Sequence, residues 1–137
     1  MNKHPYIRAY LAGIAVPTLF LLVVMSVYTT IRHVCEVPIP IERVIVFPMA
    51  VVPNAWGLWN VLYVAFLERR NIPLGLFGGA LLLLLVPGGY VVTRLLNFDI
   101  PHVVLVAAPF NLPIALILYY LVWKHIVGFL NAELGIY

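Results

Sequence analysis

VVPNAWGLWNVLY, residues 51–63, is the stretch on which the fold depends, and it lies inside an uncharged run from Val44 to Leu67. A helix of this length can cross a hydrocarbon core of about 30 Å. The stretch contains two asparagines, a glycine, two tryptophans and a tyrosine. Because polar side chains at membrane depth need partners on other helices, it predicts a membrane helix packed against further helices.

The composition of the whole chain is typical of an integral membrane protein. Hydrophobic residues make up 64% of the 137 residues, charged residues make up 9%, and the mean hydropathy is +1.06. Soluble domains carry about 25% charged residues, so a water-soluble fold would have too few charges to cover its surface. The lipid bilayer is therefore an expected partner. The net charge of +3 is scattered singly over helix ends, which argues against nucleic acid as a partner.

Charged residues divide the chain into four uncharged segments separated by short connections. Each segment is long enough for one crossing at about 1.5 Å per residue. The sequence therefore predicts an all-α integral membrane protein, a four-transmembrane-helix bundle that forms one domain over residues 1–137. The predicted helices span residues 6–31, 44–67, 73–95 and 102–125. A predicted interfacial tail spans residues 126–137, as a helix that extends out of the membrane or lies along its surface.

The placement of lysine and arginine predicts the orientation of the bundle, because cytoplasmic loops are enriched in these residues. The side that holds both chain ends carries more of them than the opposite side. The two sets are Lys3, Arg8, Arg69, Arg70 and Lys124 on the side of the chain ends, and Arg32, Arg43 and Arg94 on the other. We therefore expect both termini on the cytoplasmic side of a bacterial inner (plasma) membrane.

The second predicted helix has two different faces, which carry candidate binding residues. At about 100° per residue, a small and polar arc lies beside an aromatic arc. The polar arc contains Ala50, Pro53, Asn54, Gly57 and Asn60, and the aromatic arc contains Trp56, Trp59, Tyr63 and Phe66. A tight helix–helix interface is the favoured interpretation, because small residues let backbones approach closely and amides then bond across the contact. A substrate or ion path lined by Asn54, Trp56 and Asn60 is the alternative.

The fourth predicted helix carries a similar small and polar arc, formed by Ala108, Asn111 and Ala115. Asn54 and Asn111 lie at similar distances from the outer ends of their helices. We expect these two amides to face the same internal contact, which adds Asn111 to the candidate binding face. The expected partners of this face are other membrane helices, from the same protein or from a partner protein.

Pro87, Gly88 and Gly89 predict a helix break in the third crossing, because proline removes a backbone hydrogen bond and glycine weakens a helix. A kink that fits packing is the favoured interpretation, since both residue types are tolerated in membrane helices. A discontinuous helix whose exposed backbone binds an ion or a substrate is the alternative. Earlier in the same helix, Gly75 and Gly79 form a GxxxG pattern, which indicates close packing.

Basic and histidine side chains collect at the ends of the predicted helices. Arg32, His33, Arg94 and His102 form a predicted outer rim. A metal or catalytic site is one interpretation of this region, and a solvated rim that pairs with lipid headgroups is the favoured one. The residues considered for a metal site are His33, Cys35, Glu36, Glu42, Asp99 and His102. Those considered for a catalytic site are Arg32, His33, Glu36, Glu42, Arg94 and His102. The single residue between His33 and Cys35 is shorter than the usual gap between zinc ligands. We therefore predict no catalytic residue, no metal site and no cofactor.

Three functions remain open after these observations. No acid or base lies near the middle of a predicted crossing, which argues against a proton-coupled carrier. The favoured hypothesis is a small non-catalytic membrane protein that acts by helix–helix contact, as an accessory or assembly subunit or as a small homo-oligomer. An oligomeric channel or transporter for a small neutral or anionic solute is the first alternative. A membrane enzyme with its site on the outer rim is the second.

Overall fold

The computed structural model describes residues 4–36, 38, 47, 49–67, 70–97, 99–100 and 102–136. The described residues form helices and turns with no β-strand among them, so the all-α prediction is confirmed. Within these residues, three helices are long and apolar enough to cross a membrane. They span Pro5–Val34, Leu74–Leu95 and Leu105–Glu133.

Helices α1 and α2 form an antiparallel pair. α1 spans Pro5–Val34, α2 spans Val51–Leu62, and a π-helical turn continues α2 over Tyr63–Leu67. The backbones approach closely where two glycines face each other. A Cβ atom at Gly13 would lie 2.6 Å from the carbonyl oxygen of Trp56 and 2.8 Å from the Cα of Gly57. Residues 44–46 and 48 of the predicted second crossing lie outside the described residues.

Helices α3 and α4 form the second pair. α3 spans Leu74–Leu95, α4 spans His102–Leu121, a π-helical segment follows over Val122–Val127, and the short α5 spans Gly128–Glu133. A Cβ atom at Gly75 would lie 2.7 Å from the ring of Tyr120, and one at Gly78 would lie 2.0 Å from the ring of Trp123. The glycines in closest contact are therefore three residues apart, whereas Gly79, the predicted GxxxG partner, leaves room for a Cβ atom.

The two helix pairs meet through a buried core, which consists of Trp56, Leu81, Trp123 and Val127. The first turn of α1 also meets the residue that follows α5. Arg8 Nη1 donates a 3.0 Å hydrogen bond to the carbonyl oxygen of Leu134. The start of α1 and the end of α5 therefore lie at the same end of the bundle.

α3 passes through Pro87, Gly88 and Gly89 as a continuous helix. Proline removes only its own N–H from the backbone ladder, and neighbouring groups in a helix can satisfy the carbonyl that it frees. The Thr93 hydroxyl donates a further hydrogen bond to the carbonyl oxygen of Gly89. The discontinuous helix of the alternative interpretation is therefore not observed in this described segment.

The last helical path extends beyond residue 125, where the predicted crossing ends. It continues from α4 through the π-helical segment into α5 and ends at Glu133. Residues predicted as an interfacial tail thus prolong the last helix, and Val127 and Asn131 are completely buried. A π-helical segment has more residues per turn than an α-helix, so it rotates the residues that follow away from regular α-helical positions.

Candidate functional site: the helix-contact region

A pair of buried asparagines joins α5 to the first two helices. Asn60 Nδ2 donates a hydrogen bond to Asn131 Oδ1 at 2.7 Å, and Asn131 Nδ2 donates back to Asn60 Oδ1 at 3.1 Å. Asn60 Nδ2 also donates to the carbonyl oxygen of Ala9 at 2.7 Å. Both asparagine side chains are completely buried. The reciprocal bonds satisfy donors and acceptors together, as buried polar groups require.

An aromatic cluster fills the space between the two helix pairs. The ring centroid of Trp56 lies 5.0 Å from that of Tyr119, edge to face, and 5.1 Å from that of Trp123, in a tilted arrangement. Trp123 is completely buried, and the ring fits because Gly78 opposite it has no side chain. Aromatic pairs in such geometries contribute about 0.5–1.5 kcal/mol beyond the burial of their area. The cluster therefore stabilises the contact between α2, α3 and the last helix.

Trp59 of α2 and Tyr63 of the π-helical turn that continues it both contact the region where α3 begins. The Trp59 indole Nε1 donates to the carbonyl oxygen of Phe77 at 2.8 Å, and the two rings stack with centroids 4.5 Å apart and 12° between their planes. The Tyr63 hydroxyl donates to the carbonyl oxygen of Ile72 at 2.8 Å. The aromatic face predicted for this helix thus contacts another helix of the same chain.

Asn54 and Asn111 do not share a contact, contrary to the expectation from their similar depth. The Tyr10 hydroxyl donates to Asn54 Oδ1 at 2.5 Å, and Asn54 Nδ2 donates to the carbonyl oxygen of Ala50 at 2.7 Å. Asn111 instead faces a groove between α3 and α4. The antiparallel pairing of α1 with α2 explains the difference, because it gives Asn54 a partner on α1.

The groove that contains Asn111 is open and almost entirely apolar, with a volume of about 540 Å³. Its walls include Leu82 and Val86 of α3 and Leu105, Ala108, Pro109 and Ala115 of α4. The Asn111 side chain is exposed there, and in the described part of the chain it makes no hydrogen bond. Asn111 is therefore the one residue of the predicted binding face whose amide is still available.

Arg94, at the predicted outer rim, is held by an aromatic ring of its own helix. Arg94 Nε donates to the Tyr90 hydroxyl at 3.1 Å, and the guanidinium carbon lies 5.3 Å from the centre of the Tyr90 ring. The two residues line a small cavity of about 130 Å³ together with Asp99. The Tyr90 ring and hydroxyl thus fix the orientation of the Arg94 guanidinium at the end of α3.

His33 and Arg94, two of the predicted rim residues, border different cavities. Arg32 is half-buried, and His33 and His102 are exposed. His33 borders a shallow cavity formed entirely by α1, whereas Arg94 borders the cavity at the end of α3. Among the described residues, no group of three histidine, cysteine, aspartate or glutamate side chains is placed to hold a metal ion. Glu42 and Arg43, which follow α1 in the sequence, lie outside the described residues.

Sequence reasoning missed three residues of the helix-contact region: Tyr119, Trp123 and Asn131. The sequence interpretation ends the last crossing near Lys124 because of its charge. The Lys124 ammonium group lies 5.8 Å from the centre of the Tyr120 ring, so an aromatic neighbour accommodates the charge. The apolar residues that follow Lys124 agree with the alternative in which the helix extends beyond the crossing.

Comparisons of the chain with protein families, with curated proteins and with solved structures find no match. The function is therefore inferred from the geometry. Within the helix-contact region, amides and rings bond to other helices of the same chain, and Asn111 alone remains exposed in an apolar groove.

Proposed function

We propose that this chain is a small, non-catalytic integral membrane protein that acts by helix–helix contact, as an accessory or assembly subunit or as a small homo-oligomer. This proposal rests on one observation: the asparagines of α2 form hydrogen bonds with other helices of the chain. Asn60 is bonded to Asn131 and to the backbone of α1. Asn54 is bonded to Tyr10. Amides engaged in this way are not free to line a solute path.

The large exposed surface supports the same proposal. The solvent-accessible surface area is 9094 Å². A standard protein–protein interface takes only about 800 Å² from each partner. Much of this surface is apolar, and its most exposed aromatic side chains are Phe20, Phe66, Phe110 and Phe129. Such a surface suits both lipid tails and partner helices.

Four crossings are part of the proposal. Chain ends at the same end of a bundle require an even number of crossings, and three helices are long enough by themselves. α2 and its π-helical turn hold 12 and 5 residues, near the lower limit for one crossing, and we infer that they belong to the fourth. The excess of lysine and arginine near the chain ends supports the proposal that both termini lie on the cytoplasmic side of a bacterial inner membrane.

The transport and enzyme alternatives have weaker support. A path for a solute needs polar groups that are free to replace its hydration. Of the residues suggested for a path, Asn111 alone faces an open groove, and the other walls of that groove are apolar. The rim residues His33 and Arg94, on which an enzyme would depend, border different cavities.

Extraction of the tagged chain from its native membrane into polymer-bounded lipid discs tests the proposed function. We expect the protein mass in each disc to exceed the 15.4 kDa of one chain, because a second copy or a partner chain is bound. Native mass spectrometry measures this mass. Recovery of the monomer alone, with no co-purifying membrane protein, would contradict the proposal.

Liposome flux provides the control against the transport alternative. We expect liposomes that contain the purified protein to lose ions and small polar solutes no faster than empty liposomes do. A protein-dependent flux would favour the channel or transporter over contact as the primary function.

A further inference from the structure

The amide of Asn111 is an unmatched polar group on the exposed face of α4. Asn54, Asn60 and Asn131 each hydrogen-bond to another residue of the chain. In the described part of the chain, the Asn111 side chain makes no such bond. An amide that faces hydrocarbon without a partner is costly, so a membrane protein that keeps one gains from pairing it with another helix.

The surroundings of Asn111 permit the close approach of that helix. Ala108 and Ala115 lie on either side of Asn111 along one arc of α4, and small side chains let helix backbones come together. All three residues line the open groove of about 540 Å³. The most apolar window of the span Leu105–Glu133 has 0% of its residues buried, against 22% in each of the other two spans. α4 is therefore the least covered of the three long helices.

We propose that α4 forms a two-fold interface with α4 of a second copy of this chain, with the two Asn111 amides bonded to each other at its centre. This inference rests on the proposed function and names the partner. An amide carries both a donor and an acceptor, so two copies related by a two-fold axis satisfy each other. The chain already contains this arrangement, since Asn60 and Asn131 exchange hydrogen bonds of 2.7 and 3.1 Å.

A second copy fits the groove better than the other occupants do. A lipid acyl chain fills an apolar groove but leaves the amide without a partner. A different protein has to supply a matched polar group at the same depth, whereas a second copy supplies it by symmetry. The exposed area is sufficient, because the chain exposes 9094 Å² and each partner contributes only about 800 Å² to a standard interface.

Disulfide cross-linking in native membranes tests the interface without relying on purification. The natural cysteine, Cys35, is replaced by serine, and single cysteines are introduced by Ala108→Cys or Ala115→Cys. Both positions lie beside Asn111 and leave its amide in place. Phe110→Cys and Ile117→Cys are the matched controls, since they lie on the same helix but point about 100° or more away from Asn111. Each variant is treated with an oxidant while it is still in the membrane.

We expect disulfide-linked dimers from the cysteines at 108 and 115 to exceed those from the cysteines at 110 and 117 by at least about tenfold, because a disulfide needs Cβ atoms within about 4.5 Å. Equal cross-linking at all four positions, or none at 108 and 115, overturns the proposal. It does so even if α4 contacts some other protein.

Asn111→Leu then tests the amide itself, since leucine keeps the branched heavy-atom shape and removes the hydrogen bonds. We expect it to weaken the dimer about 3- to 20-fold and to lower cross-linking at 108 and 115. Phe110→Leu, on the other side of the helix, is expected to change neither quantity. A dimer that is unaffected by Asn111→Leu overturns the proposal. Discs that contain a different partner chain and one copy of this protein also overturn it but leave the proposed function standing, whereas monomers alone overturn both.

Discussion

Gly78→Ala is expected to lower the free energy of unfolding by about 2–3 kcal/mol, which is one of the largest effects of any single methyl group in this chain. A Cβ atom at Gly78 would lie 2.0 Å from Cγ of the Trp123 ring, and that ring is completely buried. The ring cannot move aside without disturbing Trp56, its neighbour in the aromatic cluster. Reversible unfolding in mixed detergent and dodecyl sulfate micelles, followed by tryptophan fluorescence, measures this loss.

Gly79→Ala is the matched control for this prediction. A Cβ atom at Gly79 would lie 4.0 Å from Leu116, an ordinary van der Waals distance. Both substitutions gain the same helix propensity of up to about 1 kcal/mol, so the difference between them isolates the contact with Trp123. We expect Gly79→Ala to leave stability unchanged or slightly raised. Equal stabilities for the two variants would show that α3 does not pack against Trp123 in this way.

Asn60→Leu is expected to cost about 2 kcal/mol of stability, because it removes the reciprocal hydrogen bonds with the buried Asn131 amide and the bond to the Ala9 carbonyl. Asn131→Leu is expected to cost a similar amount. Each single variant already removes the bonds between the two amides, so the loss in the double variant should be smaller than the sum of the two single losses by about 1 kcal/mol. The same unfolding measurement on the four proteins gives this coupling energy.

Asn54→Leu serves as the control for the asparagine cycle. Asn54 is exposed, and its partner Tyr10 is only half-buried, so its hydrogen bonds are less costly to lose. We expect a loss of less than about 1 kcal/mol and no coupling with Asn131. Strictly additive losses for Asn60→Leu and Asn131→Leu would mean that the two amides do not bond to each other.

Much of the architecture could be predicted from where charges and prolines interrupt the apolar sequence. The third helix is the clearest case, with a predicted range of 73–95 and an observed range of Leu74–Leu95. Pro73 cannot continue a helix backwards, and Arg94 ends the uncharged run, so both limits are visible in the residues themselves. The all-α class follows from the same segment lengths. The number of crossings stays a prediction, because the described part of α2 is shorter than the other three.

The partners of the polar residues could not be predicted, because helical periodicity describes a single helix and not its neighbour. Asn60 was expected to lie in a packing face, but the sequence does not indicate that Asn131 is its partner. The π-helical segment Val122–Val127 separates Asn131 from the regular spacing of α4, and a π turn has no simple sequence signature. Similar depth in the membrane is not enough to pair Asn54 with Asn111. The antiparallel packing of α1 and α2 brings Tyr10 to Asn54 instead.

The side of the membrane on which each connection lies tests the four-crossing arrangement most directly. A membrane-impermeant maleimide can label the natural Cys35, which follows α1 and is exposed, or a cysteine introduced by Asn71→Cys in a Cys35→Ser background. Epitope tags at the two chain ends report the other positions. We expect residue 71 and both tags on one side of the membrane and Cys35 on the opposite side. Chain ends on opposite sides, or Cys35 and residue 71 on the same side, would contradict a bundle of four crossings.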